Sequence, residues 1–207
     1  MESTIFETHY EDYCQQISKI NFSRIEDILG IEIHDDNVII PFFGHKYFVS
    51  HSGIKDSLGN RPDYGICVIL SKYLLLCPNE EPEGNEGWSS LKDFHKRSQL
   101  TNFNVFQSDA EQPLLKSFSG KLTALLDASK QLNGKTGEFS TTYDVCLEFS
   151  VLPKIKVLLL FNDNDGEFPA SSSILYNKQA EDYLDPESLI MVGIAFTNRL
   201  TKPTIKT

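Results

Sequence analysis

Residues 143–189 read YDVCLEFSVLPKIKVLLLFNDNDGEFPASSSILYNKQAEDYLDPESL. Two largely apolar runs, about 143–151 and 155–161, flank a short connection. Pro153 in that connection favours a turn, so the spacing predicts an antiparallel pair. A third extended stretch, 172–176, follows an acidic loop. Asp185 then stands as an N-cap with Pro186 at the first helical position, and the helix they open runs to about residue 200.

Upstream, Leu114, Leu115, Phe118, Leu122, Leu125 and Leu126 keep a 3.6-residue period and predict one long helix over 108–132, with Gly134 and Gly137 beyond it. A helix apolar nearly all round is expected from about Asp63 to Leu76, before an acidic, Pro- and Gly-containing loop at 78–87. The runs 38–43 and 46–50, with Gly44-His45 between them, read as a hairpin with a type II′ turn. Phe6, Tyr10, Tyr13, Ile17 and Ile20 share one face of an N-terminal helix. Ser23 and Glu26 have capping-box spacing at the start of a second helix that Gly30 is placed to end. Strands and helices are grouped rather than strictly alternating, which argues for an α+β fold over a doubly wound α/β one. The expected organisation is a helical extension over 1–30 and a single α+β domain over 31–207. Its mixed or mainly antiparallel sheet should unite the hairpin with the later strands, with helices packed on it.

The chain has 207 residues and a formal net charge of −10. That balance, with basic residues scattered rather than clustered, argues against nucleic acid or an anionic membrane surface as partner. No apolar run approaches the roughly 20 residues that a membrane-spanning helix needs, and the first residues lack the pattern of a signal peptide. Cys14, Cys67, Cys77 and Cys146 are widely spaced and form no C-x-x-C pair, as expected of reduced thiols in a cytoplasmic protein.

Three elements of 157–189 form a distinctive series: Asp165-Gly166-Glu167-Phe168-Pro169-Ala170, Leu175-Tyr176-Asn177, and Tyr183-Leu184-Asp185-Pro186-Glu187-Ser188-Leu189. Looser elements lie at Ile40-Pro41-Phe42-Phe43-Gly44-His45-Lys46-Tyr47, at Leu70 to Leu76, and at Gly87-Trp88-Ser89-Ser90-Leu91. Together they resemble the pattern of domain of unknown function family 3786. The resemblance implies kinship with proteins of anaerobic bacteria and archaea, some of which carry a cysteine-rich iron–sulfur segment beside the domain. It implies no particular reaction and no catalytic residues. This chain has no such cysteine-rich segment.

The candidate functional loop is Asn162 to Glu167, where Asp163, Asp165 and Glu167 offer the oxygens that hard cations or acid/base chemistry require. Aligning Gly166 with the invariant glycine of an EF-hand puts Phe161 and Ser172 at ligand positions, so an EF-hand is excluded. Such residues also serve simply to cap backbone groups. His45 and Tyr183 are the candidate companions of the loop. Phe168 is expected to point into the core, with the Tyr176 and Tyr183 hydroxyls near Asp163 or Glu167. None of the five histidines, His9, His34, His45, His51 and His95, forms an H-x-x-x-H or H-E-x-x-H spacing; His45 and His51 could meet Asp35 and Asp36 as ligands, but exposed turn histidines are the commoner reading. Serine-hydrolase, P-loop and Rossmann signatures are absent. Neither a cofactor nor a bound metal is expected. The expected function is a non-catalytic cytoplasmic binding or accessory module with another protein as partner, linked to redox or cofactor-dependent chemistry. The alternative is an enzyme or metal-binding protein using Asp163, Asp165 and Glu167.

Overall fold

A computed structural model describes residues 4–35, 37–84, 86–94, 103–136 and 142–202, and has an α+β fold with an N-terminal helix. Helix α1 (Thr4–Ile17) buries Ile17, and the Tyr10 hydroxyl accepts from the Ile54 amide at 2.8 Å. Helix α2 (Phe22–Leu29) ends where Gly30 turns left-handed at φ 62°. The amides of Gly30 and Ile31 then close back on the Asp27 and Glu26 carbonyls. The capping box at Ser23 and Glu26 does not form. The helix starts two residues earlier, with Asn21 rather than Ser23 at the cap position and the Phe22 ring stacked on His51, which leaves Ser23 inside the helix.

The first sheet is an antiparallel meander of β1 (Glu32–His34), β2 (Asn37–Phe42), β3 (His45–Ser50) and β4 (Gly53–Lys55). Val38, Ile40 and Phe42 alternate inward on β2, and Tyr47 and Val49 answer them from β3. Phe42 pairs with His45, so the turn residues are Phe43 and Gly44, one position earlier than the sequence suggests. Both have positive φ, 50° and 77°, the type I′ signature rather than type II′. The shift has a packing cause: it buries Phe43 and lets its amide donate to the Val151 carbonyl at 2.9 Å.

The second sheet is also antiparallel, in the order β5 (Trp88–Ser90), β9 (Ser171–Asn177), β8 (Ile155–Asn162), β7 (Val145–Leu152), β6 (Lys135–Thr136). The expected union of hairpin and later strands in one sheet is therefore corrected to two sheets. They meet at the hairpin turn, through the Phe43–Val151 bond, and share one hydrophobic core.

Helix α3 (Tyr64–Leu75) is capped by Asp63, which accepts from the Ile66 amide. The long helix expected over 108–132 is broken. Its parts are α4 (Phe103–Phe106), a π-helical turn Gln107–Glu111, α5 (Gln112–Phe118) and α6 (Leu122–Gln131). Gly120, at φ 70°, makes the break between α5 and α6, and its amide is satisfied by the Asp163 carboxylate at 2.7 Å. The short α7 (Ala180–Tyr183) precedes α8 (Pro186–Thr201), capped by Asp185 through the Ser188 amide as the sequence predicts. Helix α8 runs through the shared core, burying Leu189, Val192, Phe196 and Leu200. Gly193 lets it pass: a Cβ there would sit 2.3 Å from the Phe106 ring and 2.7 Å from the Tyr176 hydroxyl.

Candidate functional site

The acidic loop is a self-capped turn. Asp163 accepts from Gly120 and Asn164 amides, and its own amide donates to Asp144 at 2.8 Å. The Asn164 side chain accepts from Gly166, and Asp165 accepts from both Glu167 and Phe168. Those two backbone bonds hold the Asp165 carboxyl below its usual range. The cleft beside the loop, about 260 Å³, is lined in part by Asp144, Asp163, Asp165 and Phe168. Neither His45 nor Tyr183 lines it. His45 is exposed beside the hairpin turn, in a different cleft. Tyr183 is buried with its ring 6.3 Å from that of Tyr73, and burial is the main cause that pushes its phenol up to about 12. The Tyr176 hydroxyl donates to the Leu189 carbonyl rather than meeting the loop.

Phe168 is 68% exposed, which corrects the expectation of a core anchor. The Glu167 and Phe168 amides donate to Asp165 and form the turn, and Phe168 emerges from it exposed, ahead of β9. Among the described residues no group of three or more His, Cys, Asp or Glu side chains is placed to hold a metal. His34 pairs with Asp35 at 3.1 Å, both exposed, and His51 stacks on Phe22. Asp36 and His95 lie outside the described residues.

A different constellation stands out on α8. Arg199 is half-buried, with its guanidinium carbon 4.9 Å from the Phe42 ring centroid and 4.7 Å from that of Phe43. Burial pushes this guanidinium below its ordinary pKa, against the pull of the neighbouring Tyr47 and Asp63. Among the described residues Arg199 forms no ion pair with a carboxylate. It lies where two clefts join. One, about 440 Å³, runs between α3 and α8 over Ile66, Ile69, Met191, Ile194 and Ala195. The other, about 380 Å³, is bounded by His45, Tyr47 and Lys202 and shares Asn198 and Arg199 with the first. The result is an open groove with an apolar floor and a cationic end. A planar guanidinium on an aromatic platform is suited to a forked hydrogen bond with a carboxylate or similar oxyanion.

The sequence reading passed over Arg199. Met191, Ile194 and Ala195 precede it at helical spacing, and such a stripe on an apolar helix is ordinarily core. The available signal was an arginine in line with that stripe, inside a helix that otherwise carries only one other charge, Glu187.

Among the described residues no helix is long and apolar enough to cross a membrane. Neither a curated protein nor a solved structure matches the chain. The family model described as Domain of unknown function (DUF3786) matches residues 21–199, a span that takes in α2, both sheets, the acidic loop and the groove as far as Arg199, and the chain belongs to that family.

Proposed function

We propose that this domain is a non-catalytic binding module whose ligand surface is the groove between α3 and α8, with Arg199 at its cationic end. The observation that carries the reading is the state of Arg199: half-buried, stacked on two phenylalanines, open to the groove and without an ion-paired carboxylate among the described residues. Half-burying a cation with no ion-paired carboxylate costs stability, which Tyr47 and the charge of Asp63 offset only in part, and an apolar side chain would pack there at no such cost. An incoming anionic group would recover that cost. The acidic-loop alternative has weaker support. Asp163 and Asp165 are committed to backbone amides, and a metal or substrate would have to compete with those bonds. The proposed partner is another protein in the cytoplasm. The family resemblance supports a redox or cofactor-dependent partner in anaerobic bacteria and archaea.

A photo-crosslinking residue at the groove position Asn198, compared with one at the exposed Lys130 on α6, tests this in cells of the source organism. The expected result is a discrete protein adduct from position 198 that disappears with Arg199→Met. The same adducts from both positions, unaffected by that substitution, would overturn the proposal.

A further inference from the structure

Resting on that reading, we infer that the occupant of the groove is a short segment of a partner protein that lays apolar side chains between α3 and α8 and places a carboxylate on Arg199. On α8, Met191, Ile194, Ala195 and Asn198 stand at positions i, i+3, i+4 and i+7 and so share a face, with Lys202 just past the helix end. At 1.5 Å per residue that face is about 10 Å long, the length of a helical segment of about seven residues or an extended one of about three. Its polarity runs one way. Ile66, Ile69, Met191 and Ile194 form the apolar part, while Arg199, His45 and Lys202 gather at the far end. Asp63, the acidic residue in the lining, caps α3 through the Ile66 amide, and its charge partly offsets that of Arg199 without forming an ion pair. The chain carries a net charge of −10, so this cationic end contrasts with the molecule as a whole.

Charge complementarity therefore selects an acidic group at one end, and the floor selects aliphatic or aromatic side chains along the rest. Sites for small molecules enclose most of their ligand. This groove is open along its length, which suits the apolar face of a peptide segment laid into it. A phosphate-rich ligand would call for several cations and converging backbone amides, whereas here one stacked guanidinium dominates a mainly apolar surface.

The test is selection of random twelve-residue peptides, displayed on phage, against the full chain. Binders are then measured on wild type, Arg199→Met and Ile194→Glu, with circular dichroism and thermal melting confirming that each variant is folded. The expected consensus pairs apolar residues with an Asp or Glu at one end. Affinity should fall about ten-fold or more with Arg199→Met, and equally when the peptide carboxylate becomes an amide, as loss of a charge-assisted hydrogen bond requires. A consensus without a carboxylate, indifferent to Arg199→Met but abolished by Ile194→Glu, would overturn this inference and the part given to Arg199, and leave standing only the reading of the α3–α8 groove as a binding surface. Binders indifferent to both substitutions would overturn both. A concentration-dependent dimer of the peptide-free chain, dispersed by Arg199→Met, would make a second copy the occupant and overturn the inference as well.

Discussion

The guanidinium of Arg199 stacks over Phe43, 4.7 Å from the ring centroid, while the Phe43 amide is bonded to Val151. One contact thus gathers helix α8, the hairpin turn and the end of β7. A residue placed so centrally for stability alone would be tuned for it, yet Arg199 is a half-buried cation with no ion pair among the described residues. Arg199→Met should therefore keep the melting temperature unchanged or raise it. Arg199→Ala, which also removes the stem from the two rings, should cost about 1–2 kcal/mol in urea unfolding. A loss above about 2 kcal/mol for Arg199→Met would make the arginine a structural element rather than a binding one.

Gly193 is the passage point of α8 through the core. Alanine ordinarily favours a helix over glycine by about 1 kcal/mol. Here the added methyl would meet the Phe106 ring and the Tyr176 hydroxyl, at 2.3 and 2.7 Å. Gly193→Ala should destabilise by about 1–3 kcal/mol, as overpacking does. A gain in stability on chemical denaturation would show that Phe106 can move aside freely.

Glu111, in the π-helical turn, accepts from the Ile174 amide, and its backbone carbonyl accepts from the Ser172 hydroxyl, both on β9. Burial raises its carboxyl pKa, with the Ile174 bond and Lys92 opposing. The folded state therefore holds its proton to higher pH than the unfolded state. It follows that stability falls as pH rises from the ordinary glutamate value through the raised one. Glu111→Gln keeps an acceptor for Ile174 and removes the charge. Stability at neutral pH should be equal or higher, and that part of the pH slope should vanish. An unchanged slope in urea titrations from pH 4 to 7 would mean that Glu111 is not its source.

At the acidic loop, Phe168→Ala should change stability by no more than about 0.5 kcal/mol, as at an ordinary surface position. Asp165 has a depressed folded pKa. Its contribution to loop order is thus complete above the unfolded aspartate value and lost as pH falls through the folded one. Carbon-detected NMR titration should find this carboxyl below the ordinary aspartate range, and an ordinary value would contradict the capped turn.

The elements legible in the sequence were those with a local chemical cause. Asp185-Pro186 opened α8, Gly30 closed α2, and Pro153 marked the connection between β7 and β8. What escaped depended on partners distant in sequence. The 3.6 period ran unbroken across Gly120, and only the carboxylate of Asp163, forty-three residues on, accounts for the satisfied amide at the break. The hairpin register was decided by Phe43 reaching Val151, not by where glycine stood in the turn. Phe168 looked like an anchor because it is aromatic and precedes a proline, yet the Asp165 bonds set its direction. The candidate companions of the loop scattered for the same reason: Tyr183 was drawn into the core against Tyr73, and His45 stayed at the hairpin beside Tyr47. Arg199 was hidden because a charged residue at the end of an apolar stripe announces itself only once α3 and the hairpin are seen on either side of it.

The central claim is that Arg199 and the apolar floor act together on a carboxylate carried by an apolar body. Its most direct test is an NMR titration that follows the Arg199 Nε–Hε signal and the methyl groups of Ile66, Ile69, Met191 and Ile194. Hexanoate serves as the probe and hexanamide as its uncharged match. The account predicts that hexanoate shifts the Arg199 signal and the groove methyls together with one saturation curve, and that hexanamide leaves Arg199 nearly unmoved. Equal responses of Arg199 to the two probes, or shifts spread over the surface without the groove methyls, would contradict it.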